Sequence, residues 1–202
     1  ILKEDTLADH LEIIEVLHHS FSGTWEQIWG EDRIVENNYH EMTIRVQERS
    51  AHKRKFNVVF RLFNDGFGFR YEFPEQEALK DFVIMDELTE FALTGDHKAW
   101  SIPYEAHFYE ALYETSPVSK LGWISTPLTM ETNDGLFLSI HEANLTDYAA
   151  MNLIPKEGRM TLKANLTPWA TGEKVFMKAP GVTPWRTMIV AESAGDLLLS
   201  RL

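Results

Sequence analysis

A carboxylate on an otherwise apolar strand is the residue of this chain whose type and position most suggest chemistry. Glu142 continues the alternate apolar positions 136, 138 and 140, and alternate residues of a β-strand share one face of the sheet. A lone ionised carboxylate on such a face would carry a desolvation cost of several kcal/mol. Glu142 must therefore be protonated, paired with a cation or placed where the strand opens into a site, which makes it the first functional candidate.

The residues around Glu142 leave the kind of site open. His141, Asp147 and Tyr148 could join Glu142 in a metal site or in an acid/base pair. Neither the spacing nor the number of these side chains is diagnostic, and on composition and spacing alone a packing role outweighs a site. A hard cation such as calcium takes roughly 6 to 8 oxygen ligands, so Glu142 could be only one ligand of a larger set.

A second candidate is the segment TPWRT at residues 183–187, which places an indole next to a guanidinium just before a predicted strand. Trp185 and Arg186 could clamp a substrate, because both side chains offer flat surfaces for stacking. A packing corner, either between domains or in the core, explains the same pair at least as well. The six tryptophans of the chain could also stack on sugar rings, although we expect most of them in the core or at interfaces.

Composition excludes several classes of partner. The chain has 202 residues, with 19 Lys and Arg against 31 Asp and Glu and a formal net charge of -12, so we expect neither nucleic acid nor an anionic membrane surface as a partner. It has no cysteine, hence no disulfide and no thiolate zinc site. No apolar run approaches the roughly 20 residues that span a bilayer. The start at Ile1 suggests a processed or excised piece of a longer protein.

Period-two alternation of apolar residues, interrupted by turn signals, predicts an all-β fold of the large, mostly antiparallel sandwich type. Residues 7–17 remain ambiguous, because helical spacing of leucines coincides with β-branched side chains. Residues 95–122 are predicted to form a long loop that includes His107. The predicted strands lie at 42–46, 56–62, 66–73, 82–85, 90–93, 128–131, 136–140, 159–164, 175–178, 187–191 and 197–199.

Six segments in order resemble one family, the N-terminal domain of the glycoside hydrolase family 97 α-glycosidases. The resemblance covers nearly the whole chain, from about residue 2 to residue 202, and no single block would carry it alone. The segments are TWEQIWGE (24–31), NYHE (38–41), RLFNDGFGFRYEFP (61–74), GDH (95–97), IHEA (140–143) with DY (147–148), and TPWRT (183–187).

The resemblance implies a galactose mutarotase-like supersandwich that fills residues 1–202 as a single domain and packs on a catalytic (β/α)8 barrel absent from this chain. It also favours a β conformation for residues 7–17. In the family, several glutamates hold calcium in the active site, and the one from the His-Glu-Ala block corresponds to Glu142. His141, Asp147, Trp185 and Arg186 are then expected to support that ligand or the interface between the domains.

The resemblance further implies a parent enzyme that hydrolyses an α-linked oligosaccharide from its non-reducing end, with glucosides favoured over galactosides. The catalytic carboxylates of the family lie in the barrel, so we expect no catalytic residue and no activity in this chain alone. It also implies a periplasmic location. The competing interpretation is a free-standing carbohydrate-binding sandwich that has no catalytic partner.

Overall fold

Antiparallel strands build almost the whole fold, as the alternating sequence predicts. The computed structural model describes residues 1–106, 110–158 and 160–202 of the chain. The described strands are β1 (Leu11–Glu26), β2 (Ile34–Glu48), β3 (Lys55–Phe63), β4 (Gly66–Phe73), β5 (Asp81–Ile84), β6 (Glu90–Ala92), β7 (Lys98–Ser101), β8 (Glu114–Pro117), β9 (Ile124–Ser125), β10 (Leu128–Glu131), β11 (Phe137–Ala143), β12 (Met151–Pro155), β13 (Thr161–Leu166), β14 (Val175–Lys178), β15 (Gly181–Val182) and β16 (Trp185–Ala191).

These strands form a sandwich of one large sheet and two small ones. The large sheet has ten strands in the order β1-β2-β3-β4-β16-β11-β10-β7-β8, with β15 added beside β4. A four-stranded sheet has the order β6-β13-β12-β9, and β14 pairs with β5 in a third sheet. The core lies between the layers, where the side chains of Ile140, Leu153 and Leu162 are fully buried. The predicted all-β sandwich is confirmed.

The strands predicted at 42–46, 56–62 and 66–73 are confirmed, and neighbouring strands pair as antiparallel hairpins. Strands β2 and β3 pair with Ile44 opposite Val58, and the turn at residues 64–65 leads into β4. The aromatic side chains of β4 pack within the sheet and across the core, with Phe69 5.4 Å from Phe60 and Phe73 4.9 Å from Phe82 between ring centroids. Alternation thus gave both the strands and their buried face.

Glycine begins β4 because there is no room for a side chain. A Cβ at Gly66 would lie 2.3 Å from the main-chain oxygen of Met188 in β16 and 2.9 Å from the Cα of Ile189. The backbone there also has φ of +155°, which side-chain-bearing residues rarely adopt. Gly66 therefore belongs to a close approach of two strands.

The ambiguous segment 7–17 forms a strand from Leu11 onward. Strand β1 pairs with β2 over its whole length, with an irregularity between Ile13 and Glu15. Most of its side chains, including Ile13 and Val16, are exposed. β1 lies at one edge of the large sheet and β8 at the other, in the part of the chain that the structure describes.

Two predictions about secondary structure were wrong. Residues 197–199 belong to a short helix, α1 (Ala194–Leu199), in which Ser193 caps the N-terminus by accepting a bond from the Asp196 amide. The predicted loop 95–122 contains β7, β8 and a 3-10 turn (Val118–Lys120). Within that loop His107 lies outside the described residues, as does Arg159 at the start of a predicted strand. Among the described helices none is long and apolar enough to cross a membrane.

Candidate functional site

The pairing of β11 with β16 brings two candidates from separate parts of the sequence together. Glu142 and Arg186 are cross-strand partners on the inner face of the large sheet. The side chain of Arg186 is fully buried, and its Nη1 donates to Oε2 of Glu142 at 2.7 Å. The other oxygen, Oε1, accepts from the main-chain N–H of Met151 at 2.9 Å. Of the three possibilities that the sequence left for Glu142, the structure shows pairing with a cation.

A second glutamate completes the site and was missed by sequence reasoning. Glu87, in the connection between β5 and β6, binds Arg186 through both oxygens, with Nε to Oε1 at 2.9 Å and Nη2 to Oε2 at 2.6 Å. The hydroxyl of Thr89 donates to Oε1 of Glu87 at 2.8 Å, and Tyr148 donates to Oε2 at 3.4 Å. The result is a buried carboxylate–guanidinium–carboxylate network, hereafter the Glu87–Arg186–Glu142 network.

The electrostatics of this network follow from its burial. Burial raises the pKa of Glu142 above its ordinary value, while the Met151 amide and Arg186 act in the opposite direction. Burial alone would lower the pKa of Arg186, but the hydrogen bonds and charge of Glu87, with the charge of Glu142, raise it instead. Arg186 therefore keeps its charge although its side chain is fully buried, as expected where two carboxylates face one guanidinium.

Of the other residues predicted near Glu142, Tyr148 joins the network, whereas His141 and Asp147 do not. Tyr148 joins the network through Glu87, and its ring lies 5.7 Å from the guanidinium carbon of Arg186. His141 points away from Glu142 because adjacent strand residues face opposite sides; burial lowers its pKa. Asp147 is exposed in the connection after β11 and has φ of +50°. The structure therefore does not bring His141 and Asp147 into the network.

The side chains of Trp185 and Arg186 lie on opposite faces of the large sheet, because they are adjacent residues of strand β16. Trp185 lies on the outer face of the large sheet, where its ring is 4.8 Å from the guanidinium carbon of Arg61 and 4.5 Å from that of Arg70. The pair therefore does not form one clamp, since the indole and the Arg186 guanidinium face opposite sides of β16. Each has its own partners, Arg61 and Arg70 for the indole and Glu87 and Glu142 for the guanidinium.

Two cavities flank the large sheet. The inner cavity, of about 510 Å³, has a mostly apolar lining that includes Leu11, Tyr71 and Glu87. The outer cavity, of about 400 Å³, is lined by Trp25, Trp185 and several polar side chains. Its polar lining consists of Glu36, Asn37, Asn38, Arg61, Asn64, Asp65, Thr187 and Arg201.

The fit of a calcium ion can be tested against the donors present. Within the described ranges no group of three or more His, Asp or Glu side chains could hold a metal. Glu142 accepts one hydrogen bond on each oxygen, which leaves a lone pair on each, and it is 9% exposed. It therefore fits as a single oxygen ligand, and the remaining ligands that calcium requires would have to come from beyond the described residues.

Comparison with solved structures shows which class of protein shares this architecture. A glycoside hydrolase family 97 enzyme from Pseudoalteromonas sp. strain K8, in complex with acarbose, matches 100% of this chain and 31% of its own, at 36% identity and a TM-score of 0.94. The same enzyme, as an E480Q variant, is known in complex with panose. A β-arabinopyranosidase shares the fold at a TM-score of 0.80 and 20% identity over 90% of this chain.

The family follows from the sequence itself. The profile of the glycosyl-hydrolase 97 N-terminal domain matches residues 2–202, so the chain belongs to that family. A retaining α-galactosidase from Bacteroides thetaiotaomicron is 27% identical over 201 residues, covering 83% of this chain and 29% of that protein. A probable retaining α-galactosidase from Streptomyces bingchenggensis is 29% identical over 143 residues, or 69% of this chain and 21% of that protein. The chain thus spans less than a third of the relatives it matches, consistent with the predicted N-terminal domain of a larger glycoside hydrolase.

Proposed function

We propose that this chain is the non-catalytic N-terminal domain of a calcium-dependent, exo-acting α-glycosidase, and that Glu142 supplies one ligand to the calcium ion. The observation that carries the proposal is the Glu142 carboxylate near the end of β11, which is 9% exposed and is held by two hydrogen bonds from different elements. Family membership supports a catalytic domain in the same polypeptide. That domain is the expected partner of this one and the source of the other ligands.

The proposed reaction needs two carboxyl groups that this chain does not supply. One protonates the leaving glycosidic oxygen, and the other activates water or attacks the anomeric carbon. Calcium, when bound, would polarise an oxygen of the substrate or of the acid and hold the sugar in place. The contribution of this chain is to present Glu142 in a fixed orientation, because the Met151 amide holds Oε1 and Arg186 holds Oε2.

Among substrates, we propose an α-linked glucoside before an α-galactoside. Support comes from the Pseudoalteromonas enzyme, which is 36% identical and binds panose, a trisaccharide of α-linked glucose. The α-galactosidase of Bacteroides is more distant, at 27% identity. Hydrolysis of p-nitrophenyl α-glucoside and α-galactoside by the complete enzyme distinguishes them, and faster release from the galactoside would reverse the assignment.

The calcium assignment is tested with Glu142→Gln in the complete polypeptide, measured by calorimetric titration of calcium into chelator-treated protein. The amide keeps the size and one acceptor but loses the charge, so we expect calcium affinity and turnover to fall while the fold persists. Glu77→Gln is the matched control, because the Glu77 side chain is 92% exposed. An affinity for calcium equal to that of the parent and the control would remove Glu142 from the site.

A carbohydrate-binding module is the second candidate, favoured by the outer cavity. Its lining combines the indoles of Trp25 and Trp185 with Asn38 and other polar side chains, which is the composition that binds sugars by stacking and hydrogen bonds. Titration of the 202-residue chain with maltotriose tests this candidate. Binding that is lost in Trp25→Ala would support the carbohydrate-binding module. If the chain does not bind maltotriose, only the proposal of a hydrolase domain remains.

A further inference from the structure

The Glu87–Arg186–Glu142 network joins three separate parts of the chain around one guanidinium. Glu142 lies 44 residues from Arg186 in sequence, and Glu87 lies 99 residues from it. Arg186 is on a central strand of the large sheet, where neighbouring strands limit its movement. The position of its guanidinium is therefore fixed by the sheet and not by a flexible surface segment.

Glu87 fixes the orientation of that guanidinium. Two parallel hydrogen bonds, at 2.9 Å and 2.6 Å, join Nε and Nη2 of Arg186 to the two oxygens of Glu87. This bidentate contact leaves Nη1 directed at Oε2 of Glu142, 2.7 Å away. Thr89 holds Glu87 in turn, and the Tyr71 hydroxyl lies 2.8 Å from that of Thr89.

We infer that Arg186 and Glu87 are positioning residues that hold the Glu142 carboxylate in the orientation in which it meets a cation. The inference rests on the proposed function of Glu142. A carboxylate anchored at both oxygens has little rotational freedom to lose when an ion binds, so anchoring favours binding. Groups that hold a metal-binding carboxylate commonly change metal affinity by 10- to 100-fold when they are removed.

The charges of the network predict the direction of the effect. Arg186 takes up part of the negative charge of Glu142, and Glu87 offsets Arg186 from the other side. Without the charge of Glu87, the guanidinium would be drawn more strongly to Glu142 and would compete with a cation for its oxygens. Glu87→Gln should therefore weaken calcium binding, although Glu87 itself is not proposed to touch the ion.

The test measures calcium affinity of the complete polypeptide by calorimetric titration for Glu87→Gln and Arg186→Lys. We expect each dissociation constant to rise by roughly 10- to 100-fold. The matched control is Glu48→Gln, because Glu48 is another buried glutamate with two hydrogen bonds to an arginine, Arg54. Glu48→Gln should lower the melting temperature of the protein about as much as Glu87→Gln does, but it should leave the calcium affinity unchanged.

Glu142→Gln in the same series separates the two ideas. If calcium affinity falls in Glu142→Gln but stays at the parent value in Glu87→Gln and Arg186→Lys, the positioning role is overturned and the ligand assignment remains. If Glu142→Gln leaves affinity unchanged, the proposed function itself fails. Should Arg186→Lys not fold, Glu87→Gln, which changes almost no volume, decides the result. An equal loss of affinity in the Glu48→Gln control would reduce the role of Glu87 to general stability.

Discussion

Acid should destabilise the domain through one buried ion pair that lies far from the proposed site in sequence. Glu48 at the end of β2 accepts from Nε of Arg54 at 2.8 Å and from its Nη2 at 2.7 Å, and both side chains are buried. The bonds from Arg54 lower the pKa of Glu48 from an ordinary 4.5 to about 2, although burial acts in the opposite direction. The folded state thus binds this proton more weakly than the unfolded state does.

The sign and size of the effect follow from this difference in pKa. A carboxyl group whose pKa is depressed in the folded state stabilises the protein above its unfolded pKa, and the contribution is lost as the pH falls. For Glu48 the loss runs from about pH 4.5 down through about pH 2. A shift of roughly 2.5 pH units corresponds to at most about 3.4 kcal/mol, and we expect about 2 kcal/mol because screening near solvent reduces it.

Urea unfolding of the 202-residue chain and of Glu48→Gln, at pH 7 and pH 3, measures this contribution. The parent should be more stable than the variant by about 2 kcal/mol at pH 7, and the difference should shrink at pH 3, because Glu48 is then largely protonated in the unfolded state and still mostly ionised in the folded state. Glu77→Gln, which changes a largely exposed carboxylate, should show almost no difference at either pH. A Glu48→Gln difference that is equal at both pH values would refute the reasoning.

Three further changes test the fold and the proposed site. Leu153→Ala empties part of the core and should lower the free energy of unfolding by about 2–5 kcal/mol, whereas Leu198→Ala on the exposed face of α1 should change it little in the same urea experiment. Gly66→Ala should prevent the close approach of β4 and β16 and so lower the melting temperature. The control is Gly122→Ala, because a Cβ at Gly122 meets nothing within 4 Å. Equal melting temperatures of the two variants would contradict the clash at Gly66. Removal of calcium from the complete enzyme with a chelator should suppress hydrolysis of an α-glucoside, and added calcium should restore it; a rate that ignores the chelator would contradict the metal assignment.

The parts of the structure that the sequence predicts are those that depend on local alternation. Period two placed Glu142 on the same face as Ile140, and the structure shows both facing the core. Strand β12 was missed because Met151–Pro155 is a mostly buried run with no polar alternation and ends in a proline. Helix α1 was missed because six residues are too few to show a helical period.

The Glu87–Arg186–Glu142 network could not be predicted, because its contacts depend on the order of strands in the sheet. Nothing in the sequence says that β16 lies beside β11, so Arg186 and Glu142 were separate candidates. Glu87 gave no signal at all, since it lies in a short connection with no periodicity. The resemblance to family 97 named the ligand candidate, but only the coordinates show which side chains hold it.

The unpaired edge of β1 in the described structure has a consequence for how the isolated chain behaves in solution. In an antiparallel strand the main-chain N–H and C=O groups of alternate residues point to the same side. About half of the sixteen residues of β1 therefore point these groups away from β2, where the described structure has no neighbouring strand. A strand of a second molecule that paired with β1 would extend the sheet. The irregularity between Ile13 and Glu15 would limit this pairing to the part of β1 that follows Glu15. A molecular mass from light scattering that increases with protein concentration would reveal this association, and a mass that stays at that of one chain would show that β1 does not pair with a second molecule.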